Sequence, residues 1–115
     1  MRRRFSSEYV SRAAHILGVL SQDTRLNLVL ALAQAPASVS ELCEHLGLPQ
    51  SNISHHLGIL RNTGLVIDER EGQFVIYRIN VPVWRTLGDG FFDQLLGGQH
   101  EVMLQHFQIR RLPSR

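Results

Sequence analysis

No other part of the chain limits its fold as tightly as residues 38–66, SVSELCEHLGLPQSNISHHLGILRNTGLV. This stretch reads as two helices joined by a tight turn, then the start of a strand. The first helix runs from about Ser40 to Leu46, with Leu42 and Leu46 one turn apart and Val39 leading in. Gly47 can end a helix in a left-handed conformation, and Pro49 cannot continue it. The second helix starts at Gln50 or Ser51 and reaches Asn62. In it, Ile53, Leu57 and Leu60 fall within about 60° of one another at helical spacing. Gly64 stops the helix, and Leu65, Val66 and Ile67 open a β-rich run. Helix, short Gly-containing turn, helix is the shape of a helix-turn-helix, whose second helix enters the major groove of DNA.

The face opposite the Ile53-Leu57-Leu60 stripe carries Ser51, Ser54, His55, Gly58 and Asn62, with Asn52 and His56 on its flanks. None is acidic and nearly all can hydrogen-bond, whereas an ordinary solvated helix face carries Glu and Lys in quantity. Small side chains allow close approach to a duplex, and Arg61 reaches a phosphate. The candidate DNA contacts are therefore Gln50, Ser51, Asn52, Ser54, His55, His56 and Arg61. The competing reading is a packed α-hairpin with an uncharged surface. For His56, packing against a backbone carbonyl and contact with a phosphate are both open.

The string LGLPQSNISHHLGILRNTGLV closely resembles the recognition segment of the ArsR/SmtB bacterial repressors, a winged-helix family. Gln50, Ser51, Ser54, His56, Leu57, Leu60, Arg61, Gly64, Leu65 and Val66 match its pattern. Ile53 stands where the family has Val, and Pro49 replaces the usual Ser, which removes a side-chain cap. Upstream, Thr24, Arg25, Leu26 and Leu28 match, while Gln22-Asp23 replaces Asp-Pro. The resemblance covers about residues 20–80. It implies a mostly α winged helix-turn-helix with a β-hairpin wing, ordered α1-α2-α3-α4-β-β-α5, with room for a further C-terminal helix. It also implies a homodimer paired through its first and last helices, repressing transcription at a pseudo-palindromic double-stranded operator.

At 115 residues the chain is read as one domain, 1–115, small enough that dimerisation helps its stability. It has no run of eighteen apolar residues, so no transmembrane helix and no membrane partner are expected. No apolar segment follows Met1-Arg2-Arg3-Arg4, so no secretory signal is expected. Cys43, the lone cysteine, precludes an intramolecular disulfide and fits a reducing cytoplasm. With 12 basic and 10 acidic residues, the formal charge of +2 says little by itself. Its distribution says more, because all twelve basic residues are Arg and several cluster at the two ends. The arm from Met1 to Phe5 either lies along DNA backbone or stays unstructured.

A helix is expected from Ser6 or Ser7 to Leu20, with Val10, Ala13, Ala14, Leu17 and Leu20 as an apolar face suited to a second subunit. A second, central helix should run from Asp23 to Gln34, with Arg25 holding structure through carbonyls or an acid. After the helix-turn-helix, strands over 65–70 and 73–79 flank a turn at Glu71-Gly72 and form the wing. Arg70 and Arg78 are its candidate phosphate contacts, while Asp68, Glu69 and Glu71 restrict which part can approach DNA. A helix over 81–96 follows, weakened by Gly88, Gly90 and then Gly97-Gly98 so that a kink or break is expected, then a short one over 101–110. Dimerisation is assigned to the first helix together with the apolar segment from Trp84 to Phe107.

Catalytic signatures are missing: there is no Gly-rich phosphate loop, no Gly-x-Ser-x-Gly and no His-Glu-x-x-His. Cys43 falls on a different helix from His55 and His56, so an enzyme is not expected. A winged helix serving as a protein–protein module is the rival non-enzymatic class, and the acid-free face from Ser51 to Asn62 argues against it.

The family resemblance also implies release from DNA on binding a metal ion. Glu41-Leu42-Cys43-Glu44-His45 resembles the family's Glu-Leu-Cys-x-Cys and makes Cys43 and His45 one candidate pair. Residues two apart on a helix point about 200° apart, so this pair needs distortion or a second chain. The family's late acid-and-His pattern is not matched at Val81 or Val83. In its place Asp89, Asp93 and His100 fall within about 40° of one another if the helix continues through Gly97-Gly98. Oxygen and imidazole ligands suit nickel, zinc or cobalt. The alternatives are solvated acids beside Arg85, a non-metal effector, a protein co-regulator or no effector.

Overall fold

The computed structural model describes residues 4–96, with side chains described up to residue 88. Five helices and three strands follow in the order α1 (Ser7–Leu20), α2 (Asp23–Gln34), β1 (Ala37–Ser38), α3 (Val39–Leu46), α4 (Gln50–Asn62), β2 (Val66–Glu71), β3 (Phe74–Ile79) and α5 (Val81–Leu96). The chain divides into two compact units, Met1–Val83 and Trp84–Arg115. Among the described residues no single helix is long and apolar enough to cross a membrane.

Within the first unit α1, α2 and α3 each begin where the sequence supplies a side-chain cap. The Ser6 hydroxyl accepts from Tyr9 N–H at 3.1 Å, and the Gln22 side chain accepts from Arg25 N–H at 2.9 Å. Ser38 and Glu41 form a reciprocal capping box on α3, which satisfies two N–H groups that would otherwise lack partners. The core is built from Ile16 of α1, Leu28 of α2, Leu42 of α3, Ile53, Leu57 and Leu60 of α4, and Leu65 and Val66 leading into β2. Each such side chain contributes about 1.5–3 kcal/mol by leaving water. Contacts with α1, α3, α4 and β3 make α2 the central helix, as its composition indicates.

Two details of the helices bear on expectation: Val10 and Leu17 of α1 lie outward, as a face for a second subunit requires, and α5 differs at its glycines. On α1 the buried residues are Ala13, Ile16 and Val19, while Val10 and Leu17 are 54% and 45% exposed. The helix is apolar on two sides, and periodicity alone does not say which side meets the core. In α5 the helix runs unbroken through Gly88 and Gly90. Each glycine costs about 1 kcal/mol relative to Ala in a helix interior, which weakens the helix there without ending it.

The sheet has three antiparallel strands in the order β1-β3-β2, one more than the expected hairpin. Pro36 disfavours a helical conformation at Ala35, which sits at φ −166°, ψ 149°. The chain leaves α2 extended, and Ala37 and Ser38 pair with Tyr77 and Ile76. In the hairpin Glu71 pairs with Phe74, so the loop is Gly72-Gln73, one residue later than expected. Gly72 has φ +65° and Gln73 a negative φ, the pattern of a two-residue type II′ turn.

Candidate nucleic-acid interface

The turn between α3 and α4 is set by two residues. Gly47, at φ +68°, closes α3 with its N–H on the Cys43 carbonyl at 2.8 Å. Pro49 then opens α4 in an extended conformation, without a side-chain cap and with no acidic residue in the first turn. The positive end of the recognition helix is thus left for an external acceptor, which suits a phosphate.

The rotation of α4 about its axis is fixed by Ile53, Leu57 and Leu60, each 0% exposed. That anchoring turns Gln50, Ser51, Asn52, Ser54, His55, Arg61 and Asn62 outward. Among them Ser51, Ser54, His55 and Asn62 lie on the face opposite the apolar stripe and Asn52 on its flank, as their spacing predicts. At the far end Gly64 (φ +82°) ends the helix, with Leu65 N–H on the Leu60 carbonyl at 3.0 Å. Asn80 then donates from its side chain to the Gly64 carbonyl at 2.8 Å, tying the end of β3 to the end of α4. The wing is thereby held against the recognition helix.

His56 is half-buried and faces inward. Its Nδ1 lies 3.2 Å from Arg25 Nη1, and Arg25 Nε donates to the Val19 carbonyl at 2.7 Å. Because a guanidinium only donates, Nδ1 is the acceptor and the neutral ring carries its proton on Nε2. Burial is the largest cause holding the His56 pKa below its ordinary value, followed by the Arg25 charge and then His55. One arginine thus ties the end of α1 and the start of α2 to the recognition helix. The expected carbonyl partner of Arg25 is present, whereas its histidine partner has no local sequence signal, being 31 residues away. His55 is exposed, its ring 5.2 Å from that of His56.

The arginines of α4 and of the wing differ among themselves. Arg61 Nη1 is 3.2 Å from Asp68 Oδ2. Arg78 lies between Glu69, at 2.6 Å, and Glu71, at 3.0 Å. The Glu69 contact is close in distance but poorly aligned for a hydrogen bond. Two carboxylates around one guanidinium leave that cluster net negative, which works against Arg78 as a phosphate anchor. Arg70 is exposed, and among the described residues no ion pair involves it.

On α3 the two candidate ligands, Cys43 and His45, line different clefts. Half-buried Cys43 lines a cleft of about 400 Å³ with Ser40, Gln50 and Phe74. Exposed His45 lines a different one with Gln34 and Glu41. Among the described residues no three His, Cys, Asp or Glu side chains are placed to hold a metal ion. The expectation for Asp89, Asp93 and His100, with the arm at Arg2 and Arg3 and the helix over 101–110, lies outside the described side chains.

Comparison with known proteins agrees with this architecture. Residues 22–68 match the sequence pattern described as bacterial regulatory protein, arsR family. The arsenical resistance operon repressor of Escherichia coli is 39% identical over 69 residues, covering 57% of this chain and 59% of that protein. Matches to the first curated relatives span about half to six-tenths of their lengths. The structure of the transcriptional repressor BigR from Xylella fastidiosa superposes with a TM-score of 0.60 at 31% identity, covering 73% of this chain and 90% of that one. The homodimeric winged helix-turn-helix DNA-binding domain Mb0332 from Mycobacterium bovis gives 0.59 at 28% identity, covering 86% and 84%.

Proposed function

Because the chain belongs to the ArsR family of bacterial regulatory proteins, we propose that it is a homodimeric, sequence-specific DNA-binding repressor of transcription. The observation that carries this reading is the outward face of α4: polar, free of acids, uncapped at its positive end and fixed in rotation by three fully buried side chains. Gln50, Ser51, Asn52, Ser54 and His55 read bases or adjacent phosphates, and Arg61 and Arg70 anchor the backbone. A dimer places two such helices about 34 Å apart, in successive major-groove turns of a near-palindromic operator. A bound dimer blocks polymerase at the promoter.

The dimer reading is supported by the homodimeric Mycobacterium bovis relative and by the outward apolar side chains Val10 and Leu17 on α1. Its test is sedimentation of Val10→Glu/Leu17→Glu, which is expected to be monomeric and to bind DNA weakly. The DNA test is Ser54→Ala/His55→Ala, which should lose operator preference in a gel shift while keeping its helical spectrum. Wild-type operator affinity in that variant refutes the assignment.

A metal or metalloid ion is the class of effector favoured by similarity to an arsenical resistance repressor. The separation of Cys43 from His45 leaves Asp89, Asp93 and His100 as the proposed ligands, with nickel or zinc as the ion. Calorimetric titration should show binding that is lost in His100→Ala and kept in Cys43→Ser. No binding to the wild type would end the metal reading and leave the DNA reading intact.

A further inference from the structure

The wing brings its own acids to the arginines that would meet DNA. Arg61, in the last turn of α4, has its Nη1 3.2 Å from Asp68 Oδ2 on β2. Both side chains are accessible, 47% and 33% exposed, so a phosphate oxygen can reach the same guanidinium. On β2 the residues alternate between the two faces of the sheet. Glu69 and Glu71 therefore share the face of Arg78, and Asp68 stands on the opposite one with Arg61 as its partner. Asp68 is thus the carboxylate placed to compete with DNA for a recognition-helix cation.

We propose that Asp68 is an intramolecular stand-in for phosphate, holding Arg61 until DNA displaces it and so limiting the affinity of the protein for any duplex. This inference rests on the DNA-binding reading above. Binding exchanges one partner of Arg61 for another and leaves a bare carboxylate beside the phosphate backbone. The net charge that the interface brings to DNA is one unit lower than its count of arginines suggests. The effect is the same on every sequence, because a phosphate contact carries no base information. Asp68 therefore sets overall affinity and salt dependence, while the outward face of α4 sets sequence preference.

The test is fluorescence anisotropy of the full chain with a random-sequence duplex of about three helical turns, over a salt series. Four proteins are compared: wild type, Asp68→Asn, Arg61→Gln and the double variant, each checked by far-ultraviolet dichroism. Freeing Arg61 from an exposed ion pair should tighten binding of Asp68→Asn roughly fivefold at low salt. It should also steepen the slope of log affinity against log salt by up to about 0.9, because no bare carboxylate is left to draw a cation back into the interface. In the Arg61→Gln background the same substitution should give a clearly smaller gain. An equal gain in both backgrounds means that Asp68 acts only by repelling DNA and overturns the latch. No gain in the wild-type background overturns it as well. A wild type that binds no duplex in a salt-dependent way brings down the DNA-binding reading itself, a result distinct from either.

Discussion

Replacing Arg25 with Ala should loosen the recognition helix from the rest of the first unit. The substitution removes the Nε bond to the Val19 carbonyl, at 2.7 Å, and the Nη1 bond to His56, at 3.2 Å. It leaves the backbone bond from Arg25 N–H to Gln22, so the cap of α2 survives. Hydrogen bonds from a charged donor contribute about 1.5–3 kcal/mol each. Both of these are part-buried, so the lower end applies, for a total of about 3 kcal/mol. Ala is a slightly better helix former than Arg, which offsets only a few tenths of a kcal/mol. Urea unfolding followed by dichroism, at one fixed protomer concentration, should show the midpoint falling by about 1–3 M. His56→Ala removes only the second bond and should cost about 1.5 kcal/mol. Added to Arg25→Ala it should cost clearly less than it does alone. A loss below about 1 kcal/mol for Arg25→Ala would refute the bridge, since two charge-assisted bonds cannot be that cheap to remove.

The same pair makes stability depend on pH. The unfolded chain takes up a proton at His56 near 6.5, while the folded chain resists until a lower pH. The contribution of neutral His56 is therefore fully present above 6.5 and is lost as pH falls through the lowered value. Calorimetric melting temperatures should fall more steeply on acidification in the wild type than in His56→Gln, and parallel curves would contradict this. Gly47→Ala meets open space at its Cβ, but the backbone there is at φ +68°. Strain alone should cost about 1 kcal/mol, read from urea midpoints. Ser38→Ala dismantles the capping box of α3 and should cost about 1 kcal/mol in the same assay, with Glu41→Gln costing less.

Local chemistry alone determines much of this protein. Gly47, Pro49 and Gly64 delimit α3 and α4 because each imposes or forbids a backbone conformation on its own. The Ile53-Leu57-Leu60 spacing oriented α4, since a helix with a single apolar stripe has only one way to face a core. That in turn exposed Ser51, Ser54 and His55. Other features depend on what lies across a gap. Helix α1 is apolar on two sides, and only its packing chose Ile16 and Val19 over Val10 and Leu17. Strand β1 is two residues long, too short for any periodicity, and exists because β3 offers it a partner. The inward turn of His56 to Arg25, and the capture of Arg61 by Asp68 and of Arg78 by Glu69 and Glu71, join residues on different elements. Charge and hydrogen-bonding capacity are written in the sequence, but the choice of partner is made by distance, which only the folded chain defines.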